Sequence, residues 1–396
     1  MITDSQNIQS SPIDTCPEIE LLLCCARTQP SPEIGQQIQT LAQQSLDWSY
    51  LLQTAARHSV LPLLYQNLKT LCPEAVPKPV LSELRNFFHT NAAHNLFLTQ
   101  ELLKILKLFQ DNDIPAIPFK GPVLAVSVYG NLALRQFGDL DIWVREEDFL
   151  RVIIDITAKK YETPFRQGWM GQLPLYKLIN INYNVHECAV VHVDNRVNID
   201  VHKSLTRKSF FLFQLDFEYL WQRIELVDIL GTEVSSLQPE DLLLVLCVHG
   251  SKHGWEKLGW ICDVAEFVLV HQEVEWTLII EQAKKLGCER MLLMGLTLAS
   301  NLLDTPLPEI VHQSIEADPK STLLVAQVYE ELFHDSFIFN ASSKFSYYFR
   351  MMERPQDKLR YSVGFIFNNS LIRLFLFIRQ AYGNCIKRIM RSLLSG

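Results

Sequence analysis

Residues 119–144 read FKGPVLAVSVYGNLALRQFGDLDIWV and carry a recognisable order of elements. The mostly apolar run at 114–119 predicts a strand, and the Lys-Gly turn after it places Pro122 where a helix can begin. Gly130-Asn131 then interrupts the apolar pattern. The last six residues, 139–144, are typical of a buried strand. The stretch therefore predicts a strand, a turn, a helix and a second strand.

Two carboxylates lie on that second strand. Because side chains alternate along a strand, Asp139 and Asp141 point to one side, with α-carbons roughly 6.5–7 Å apart. The apolar residues between and after them would hold the strand on a core. Two carboxylates aimed at one point repel each other and lose hydration, and a shared divalent cation or a raised pKa relieves this. The strand is therefore a candidate metal site.

A third acidic residue follows on a predicted hairpin. A helix is expected at 146–160, and strands are expected at about 184–193 and 196–202, joined by Asp194-Asn195, two residues that tolerate positive φ. On the second strand Asp200 and His202 share one face. A lone strand Asp is often structural, but beside Asp139 and Asp141 it suggests three carboxylates that need cations to coexist. His202 is either a site residue or an ordinary hydrogen-bonding histidine at a strand end.

The flanking sequence is helical. Apolar residues recur at helical spacing from residue 16 to about 109, and residues 82–109 predict one long helix or two joined end to end. We therefore divide the chain into a helical N-terminal region (1–110), a core (111–234) and a helical C-terminal region (235–396). The predicted fold class is α+β, with a small mixed sheet flanked by helices.

A cluster of basic and imidazole side chains begins the C-terminal region. His249 and His253 are four residues apart, with Lys252 beside them, after a helix start at residues 239–241. Without a third ligand at a defined spacing, a zinc site is weakly supported. Contacts to substrate or phosphate and ordinary packing remain open. Asp263 is a candidate to orient one of the histidines.

Composition limits the classes of function. The 396 residues carry a formal net charge of −8, which argues against general nucleic-acid binding. Nine cysteines without a CxxC pair are typical of reduced thiols, and the sequence shows neither a signal peptide nor an apolar run of about 18 residues, so we expect a cytoplasmic protein. Residues 371–394 have an apolar and a basic face, which suits a docked terminal helix or a weak contact with a membrane surface or partner.

Several of these residues resemble a known family. Lys120-Gly121, Tyr129-Gly130, Arg135 and residues 138–141 are similar to the signature of the polymerase-β-like nucleotidyltransferase superfamily. More narrowly, they resemble the bacterial "nucleotidyltransferase family protein" group. The resemblance extends to the segments 22–27, 46–48, 56–62, 198–202 and 249–255, and it weakens after about residue 318. It implies a polymerase-β-like core between the two helical regions.

The resemblance also implies a chemistry. It predicts transfer of a nucleoside monophosphate from an NTP to a small-molecule or protein acceptor, with two Mg²⁺ ions between Asp139, Asp141 and Asp200. Asp200 would help to remove the acceptor proton. Gly121 would let the backbone approach the phosphates, and charged or polar side chains would bind the nucleotide. The expected binding residues are Lys120, Gly121, Tyr129, Arg135, His202, His249, Lys252 and His253.

One feature departs from the wider superfamily, and two other functions compete. Most members carry Gly-Ser or Gly-Gly at the turn, whereas this chain has Lys120-Gly121-Pro122, which leaves the mode of triphosphate binding and the donor open. One alternative is a nucleotidyltransferase-type toxin that modifies tRNA or protein, although the acidic chain disfavours tRNA. The other is a catalytically silent module that binds a nucleotide or a partner, against which the three carboxylates argue.

Overall fold

The computed structural model describes residues 16–159, 161–162, 186–194, 197–206, 215–333 and 341–366. The predicted basic helix at 371–394 lies outside these residues, as does Asn195 of the predicted hairpin turn. Everything below concerns the described part of the chain.

The core contains a five-stranded mixed sheet with the strand order β1-β2-β5-β4-β3. Strands β2 and β5 are parallel, and the other neighbouring pairs are antiparallel. A two-stranded hairpin, β6 and β7, is separate. The predicted α+β class with a mixed sheet is thus confirmed. The strands are β1 Ala116–Pro118, β2 Asp139–Val144, β3 Tyr161–Glu162, β4 Glu187–His192, β5 Asn198–His202, β6 Glu225–Ile229 and β7 Thr232–Ser236.

Helices flank the sheet on both sides in the sequence. The long helix predicted at 82–109 is continuous over Lys78–Asp111. Before it come the helices Pro17–Cys25, Pro32–Ala42, Trp48–Arg57 and Leu61–Leu71. Within the core lie Gly121–Ser127, Phe149–Thr157 and Phe217–Trp221. After it come Pro239–Lys252, Leu258–Val270, Trp276–Leu286, Glu289–Leu303, Glu309–Ala317, Pro319–Leu332 and Ala341–Met351, and residues 355–366 are also helical.

Several predicted elements are shorter in the structure. Val193 and Val197 lie outside β4 and β5, and two other elements differ more. The strand expected at 114–119 is limited to Ala116–Pro118, because Ile114 still belongs to the turn that closes the long helix, where its N–H donates to the Phe109 carbonyl. The helix expected at 146–160 is limited to Phe149–Thr157. These differences concern the ends of elements, which the hydrophobic pattern of the sequence predicts less well than the existence of the element.

Two apolar clusters hold the molecule together. One packs the sheet against its helices and includes Leu140 and Ile142 of β2. The other joins N-terminal helices, C-terminal helices and part of the core, so the described parts of the two helical regions share one interior. The long helix contributes Leu84 to this second cluster and Leu98 to the first. The site described next lies where the core meets both helical regions.

Two further findings concern the described residues. None of their helices combines the length and the apolar character needed to cross a bilayer. Eight cysteines fall in the described ranges, and all eight are free thiols.

Candidate active site

Parallel pairing of β2 with β5 brings the acidic side chains together. Asp141 of β2 lies opposite Asp200 of β5. His202 follows Asp200 by two residues and therefore lies on the same face of β5. Ligand atoms of these three side chains all lie within 4.8 Å of one another. Of the three carboxylates expected to converge, the structure thus brings Asp141 and Asp200 together, and the third member of this close group is the His202 imidazole.

Asp141 is the most enclosed of the acidic residues. Its side chain is 4% exposed, and its Oδ1 lies 2.9 Å from Lys120 Nζ and 3.0 Å from His202 Nε2. Burial acts to raise the pKa of Asp141, but the Lys120 ammonium and the His202 hydrogen bond outweigh it and hold that pKa far below its usual range. Asp141 is thus a carboxylate that stays ionised at neutral pH.

Asp200 has a different environment. Burial and the charge of Asp141 raise the pKa of Asp200 to about 6, although His202 acts in the opposite direction. Asp139 is exposed at the start of β2 and stands outside the close group. Desolvation in the cavity, followed by the charge of Asp141, also raises the pKa of Asp139. The carboxylates therefore differ in character despite their similar positions on strands.

Glu187 is a site residue that the sequence interpretation missed. It lies opposite His202 on the antiparallel pair of β4 and β5, and its Oε2 is 3.5 Å from His202 Nδ1. The same oxygen lies 3.2 Å from His186 Nε2 and 3.7 Å from Lys252 Nζ. Burial by itself would raise the pKa of Glu187, but the interactions with His186, Lys252 and His202 have the larger effect, so the pKa lies well below its usual range. The predicted two-residue turn at 194–195 would have been enough to find this residue, because that turn fixes the register of the hairpin and so places residue 187 opposite residue 202.

The Lys-Gly turn packs directly on β2. Gly121 has φ +53°, and a Cβ there would lie 3.4 Å from the backbone oxygen of Asp139. This close approach and the left-handed backbone favour glycine. The turn aims the Lys120 side chain at Asp141, where it forms the ion pair described above. Lys120 was expected to contact phosphate, and in the structure it neutralises the Asp141 carboxylate.

Arg135 and Tyr129 converge on a carboxylate from the C-terminal region. Arg135 donates to both oxygens of Asp263, at 2.8 and 2.9 Å, and the Tyr129 hydroxyl donates to Asp263 Oδ1 at 2.7 Å. The expectation that Asp263 orients a histidine is therefore replaced by a buried contact with these two residues. Arg135, expected as a phosphate clamp, anchors the core to helix Leu258–Val270.

The two histidines of the C-terminal region lie against each other. His249 is in the last turn of helix Pro239–Lys252, His253 is its C-cap, and the ring centroids are 4.7 Å apart. Gly250 does not interrupt the helix. Within the described ranges, the side chains close enough to hold a metal are Asp141, Asp200 and His202, so neither histidine joins such a group.

One cavity of about 1360 Å³ unites these features. It is lined by every predicted site residue, from Lys120, Gly121 and Asp139 on the core to His249, Lys252 and His253 on the C-terminal region. Glu187 and Trp260, which the sequence interpretation did not include among the site residues, also line it, as does Asp263, which was expected only to orient a histidine. Residues of the N-terminal helices, such as Asn91 and His94, complete the wall.

Comparison with known proteins gives one match. A family described as "Uncharacterised nucleotidyltransferase" matches residues 44–304, which include the whole described sheet and most of the cavity wall. No curated protein and no solved structure matches the chain. Since the matched region spans well over half of the 396 residues, the chain belongs to this family of uncharacterised nucleotidyltransferases.

Proposed function

We propose that the protein is a divalent-metal-dependent nucleotidyltransferase that moves a nucleoside monophosphate from an NTP to a small-molecule or protein acceptor. Family membership supports nucleotidyl transfer as the general class of reaction. One observation carries the finer proposal: Asp141, Asp200 and His202 converge within 4.8 Å at the wall of a large cavity.

The donor set fits a divalent cation. Carboxylate oxygens are the ligands that Mg²⁺ and Mn²⁺ prefer, and an imidazole nitrogen is also suitable for Mn²⁺. The raised pKa of Asp200, caused by burial and the nearby Asp141, reflects uncompensated negative charge that a cation would relieve. Asp141, Asp200 and His202 would hold one ion, and Asp139, on the same strand face, is available to a second. Bound ions would polarise the α-phosphate and favour ionisation of the acceptor hydroxyl.

Asp200 is the proposed general base. Its carboxylate lies in the proposed cation site at the cavity wall, where an acceptor hydroxyl held by the same ion would be within reach, so Asp200 can both bind the ion and take the acceptor proton. The acceptor oxygen forms a bond to the α-phosphorus, the bond from that phosphorus to the bridging oxygen of the β-phosphate breaks, and pyrophosphate leaves. The acceptor proton passes to the Asp200 carboxylate.

Lys120 and the cavity supply the binding contacts. Once a cation shares the charge of Asp141, the Lys120 ammonium at 2.9 Å is free to bind a phosphate oxygen. A cavity of about 1360 Å³ exceeds the range of about 300–1,000 Å³ that is usual for small-molecule sites, so it has room for a nucleotide and part of an acceptor.

Calorimetric binding of non-hydrolysable ATP, GTP, CTP and UTP analogues, with and without Mg²⁺ or Mn²⁺, tests the proposal. We expect metal-dependent binding of at least one analogue, and loss of that binding in Asp139→Asn/Asp141→Asn. Glu233→Gln, an exposed change on β7, is the matched control and keeps wild-type binding. Pyrophosphate release with candidate acceptors then identifies the reaction.

Two outcomes would contradict this function. Failure of every analogue to bind in the presence of metal and a panel of acceptors would exclude the NTP donor. Nucleotide binding without pyrophosphate release across such a panel would favour the silent binding module. Thermal melting of each variant separates loss of binding from loss of folding.

A further inference from the structure

Three aromatic rings form one wall of the cavity. His249 and His253 come from the end of helix Pro239–Lys252, and Trp260 comes from the first turn of helix Leu258–Val270. The Trp260 ring centroid lies 5.2 Å from that of each histidine. All three side chains are only half-buried and line the cavity, so they are not simply part of the apolar core.

The loop between the two helices holds this ring wall, defined as His249, His253 and Trp260, in place. Gly254 and Trp255 have φ of +66° and +56°, which reverses the chain. The Trp255 ring packs onto Gly250, where a Cβ would lie 2.4 Å from it, and its indole N–H donates to Ser251 Oγ at 3.2 Å. The rings are therefore arranged before any ligand arrives, which reduces the entropic cost of binding.

The ring wall is uncharged at neutral pH. Burial lowers the pKa of His253 to about 4 and, together with the Lys120 charge, moves the pKa of His249 well below its ordinary value. Lys257 lies at its border, with Nζ 5.6 Å from the Trp260 ring centroid. A neutral aromatic surface gives little attraction for phosphate, but it suits a flat heterocycle, with the lysine near its edge.

The ring wall is connected to the proposed phosphate site. Asp263 follows Trp260 by three residues on one helix, a rise of about 4.5 Å, and it binds Arg135 of the core. On the other side, the charges of Lys120 and Asp141 both act on the His249 imidazole. Rings and carboxylates thus occupy neighbouring parts of one cavity, as a base and a triphosphate of one ligand require.

We propose that His249, His253 and Trp260 form the subsite that binds the base of the donor nucleotide, with Trp260 as the principal stacking residue. The inference rests on the proposed function, because it assumes that the donor is a nucleotide. Since every base has a π-face, stacking alone predicts binding of several nucleotides, and Lys257 and the imidazoles at the edge would select among them.

The test separates the base from the phosphates. Calorimetry with Mn²⁺ compares non-hydrolysable NTP analogues with inorganic tripolyphosphate, which lacks a base, on wild-type protein and on Trp260→Ala. We expect Trp260→Ala to weaken nucleotide binding roughly 5- to 100-fold, while tripolyphosphate binding stays unchanged. Trp260→Phe, which retains an aromatic face, should recover most of the affinity. Trp276→Ala, at a half-buried tryptophan outside the cavity lining, is the matched control.

Other outcomes overturn the base subsite. Equal weakening of both ligands, or no weakening of either, would show that the wall has no base-specific role. Loss of turnover with nucleotide binding intact would assign the wall to the acceptor. If wild-type protein binds neither ligand, the proposed function itself fails, and the base subsite fails with it. Should Trp260→Ala not fold, Trp260→Leu keeps apolar volume without a π-face and gives the same comparison.

Discussion

Asp141 and Asp200 lie directly opposite each other on neighbouring parallel strands, yet their carboxylates have opposite properties. Asp141 forms contacts with Lys120 and His202 that lower its pKa, whereas burial raises the pKa of Asp200 to about 6. Both carboxylates would bind the proposed cation, but Asp141 is already balanced by Lys120 and His202. Asp200 would gain more from the cation and would also receive the acceptor proton.

Substitution of Asp200 should remove catalysis more than it affects folding. Asp200→Asn keeps the shape of the side chain but removes both the base and one proposed ligand of the cation, so we expect the rate of nucleotidyl transfer to fall at least roughly 10²- to 10⁴-fold. Pyrophosphate release in single-turnover reactions measures this rate, with Glu233→Gln as the control. A rate within threefold of wild type would exclude Asp200 as the base.

Glu187 should control the affinity for a divalent ion without contacting it. Its Oε2 lies 3.5 Å from His202 Nδ1, so its negative charge would favour a proton on Nδ1 when a metal replaces Asp141 as the partner of Nε2. We expect Glu187→Gln to weaken Mn²⁺ binding roughly 10- to 100-fold, as measured by paramagnetic resonance titration. Unchanged Mn²⁺ affinity in a folded Glu187→Gln protein would show that this contact does not position His202.

Lys120 should have opposite effects on the metal and the nucleotide. Its ammonium competes with a cation for Asp141 Oδ1 at 2.9 Å, and the same ammonium is proposed to bind phosphate. Lys120→Met should therefore keep or increase Mn²⁺ affinity and weaken nucleotide binding about tenfold. Parallel titrations with Mn²⁺ and with a nucleotide analogue measure both effects. Loss of Mn²⁺ binding in this variant would contradict the competition.

Removal of one partner from the buried Arg135–Asp263 pair should be strongly destabilising. Asp263→Asn leaves the guanidinium without its bidentate carboxylate, and we expect a loss of about 3–5 kcal/mol in the free energy of unfolding. Glu218→Gln, which breaks the exposed pair with Arg145, should cost under about 1 kcal/mol. Urea unfolding compares the two, and similar losses would show that the Asp263 contact does not anchor the core.

His58 should make stability depend on pH. The Leu258 N–H donates to His58 Nδ1 at 3.1 Å, and burial, followed by the charge of Arg57, lowers the pKa of His58 to about 3. The unfolded histidine binds a proton below about pH 6.5, so the free energy of unfolding should fall below that pH and continue to fall toward pH 3.

The slope expected from His58 is at most about 1.4 kcal/mol per pH unit. His58→Asn keeps a hydrogen-bond acceptor near the Nδ1 position and should remove this part of the slope. Urea unfolding from pH 4 to pH 8 measures it. Identical pH profiles for the variant and wild type would show that His58 is not the group responsible.

Much of the core could be predicted from local pattern. Alternation along 139–144 placed Asp139 and Asp141 on one strand face, and the Asp-Asn dipeptide predicted the hairpin whose second strand carries Asp200 and His202. The same turn contained the register that pairs Glu187 with His202, although the prediction did not use it. These features depend on neighbours in sequence, which is why pattern is informative about them.

The sequence by itself determined the strand faces, the turn at Gly121, the helical flanks and the resemblance to a nucleotidyltransferase family. Only the tertiary structure decided that β2 pairs in parallel with β5, which makes His202 rather than Asp139 the third member of the close group. It also decided that Asp263 accepts hydrogen bonds from Arg135 and that the Trp260 ring packs against the rings of His249 and His253. The β2–β5 pairing and the Arg135–Asp263 contact join residues far apart in the chain, and burial of the shared apolar core, not local backbone preference, brings them together. The Trp260 contact joins nearer residues, but it depends on the reversal of the chain at Gly254 and Trp255.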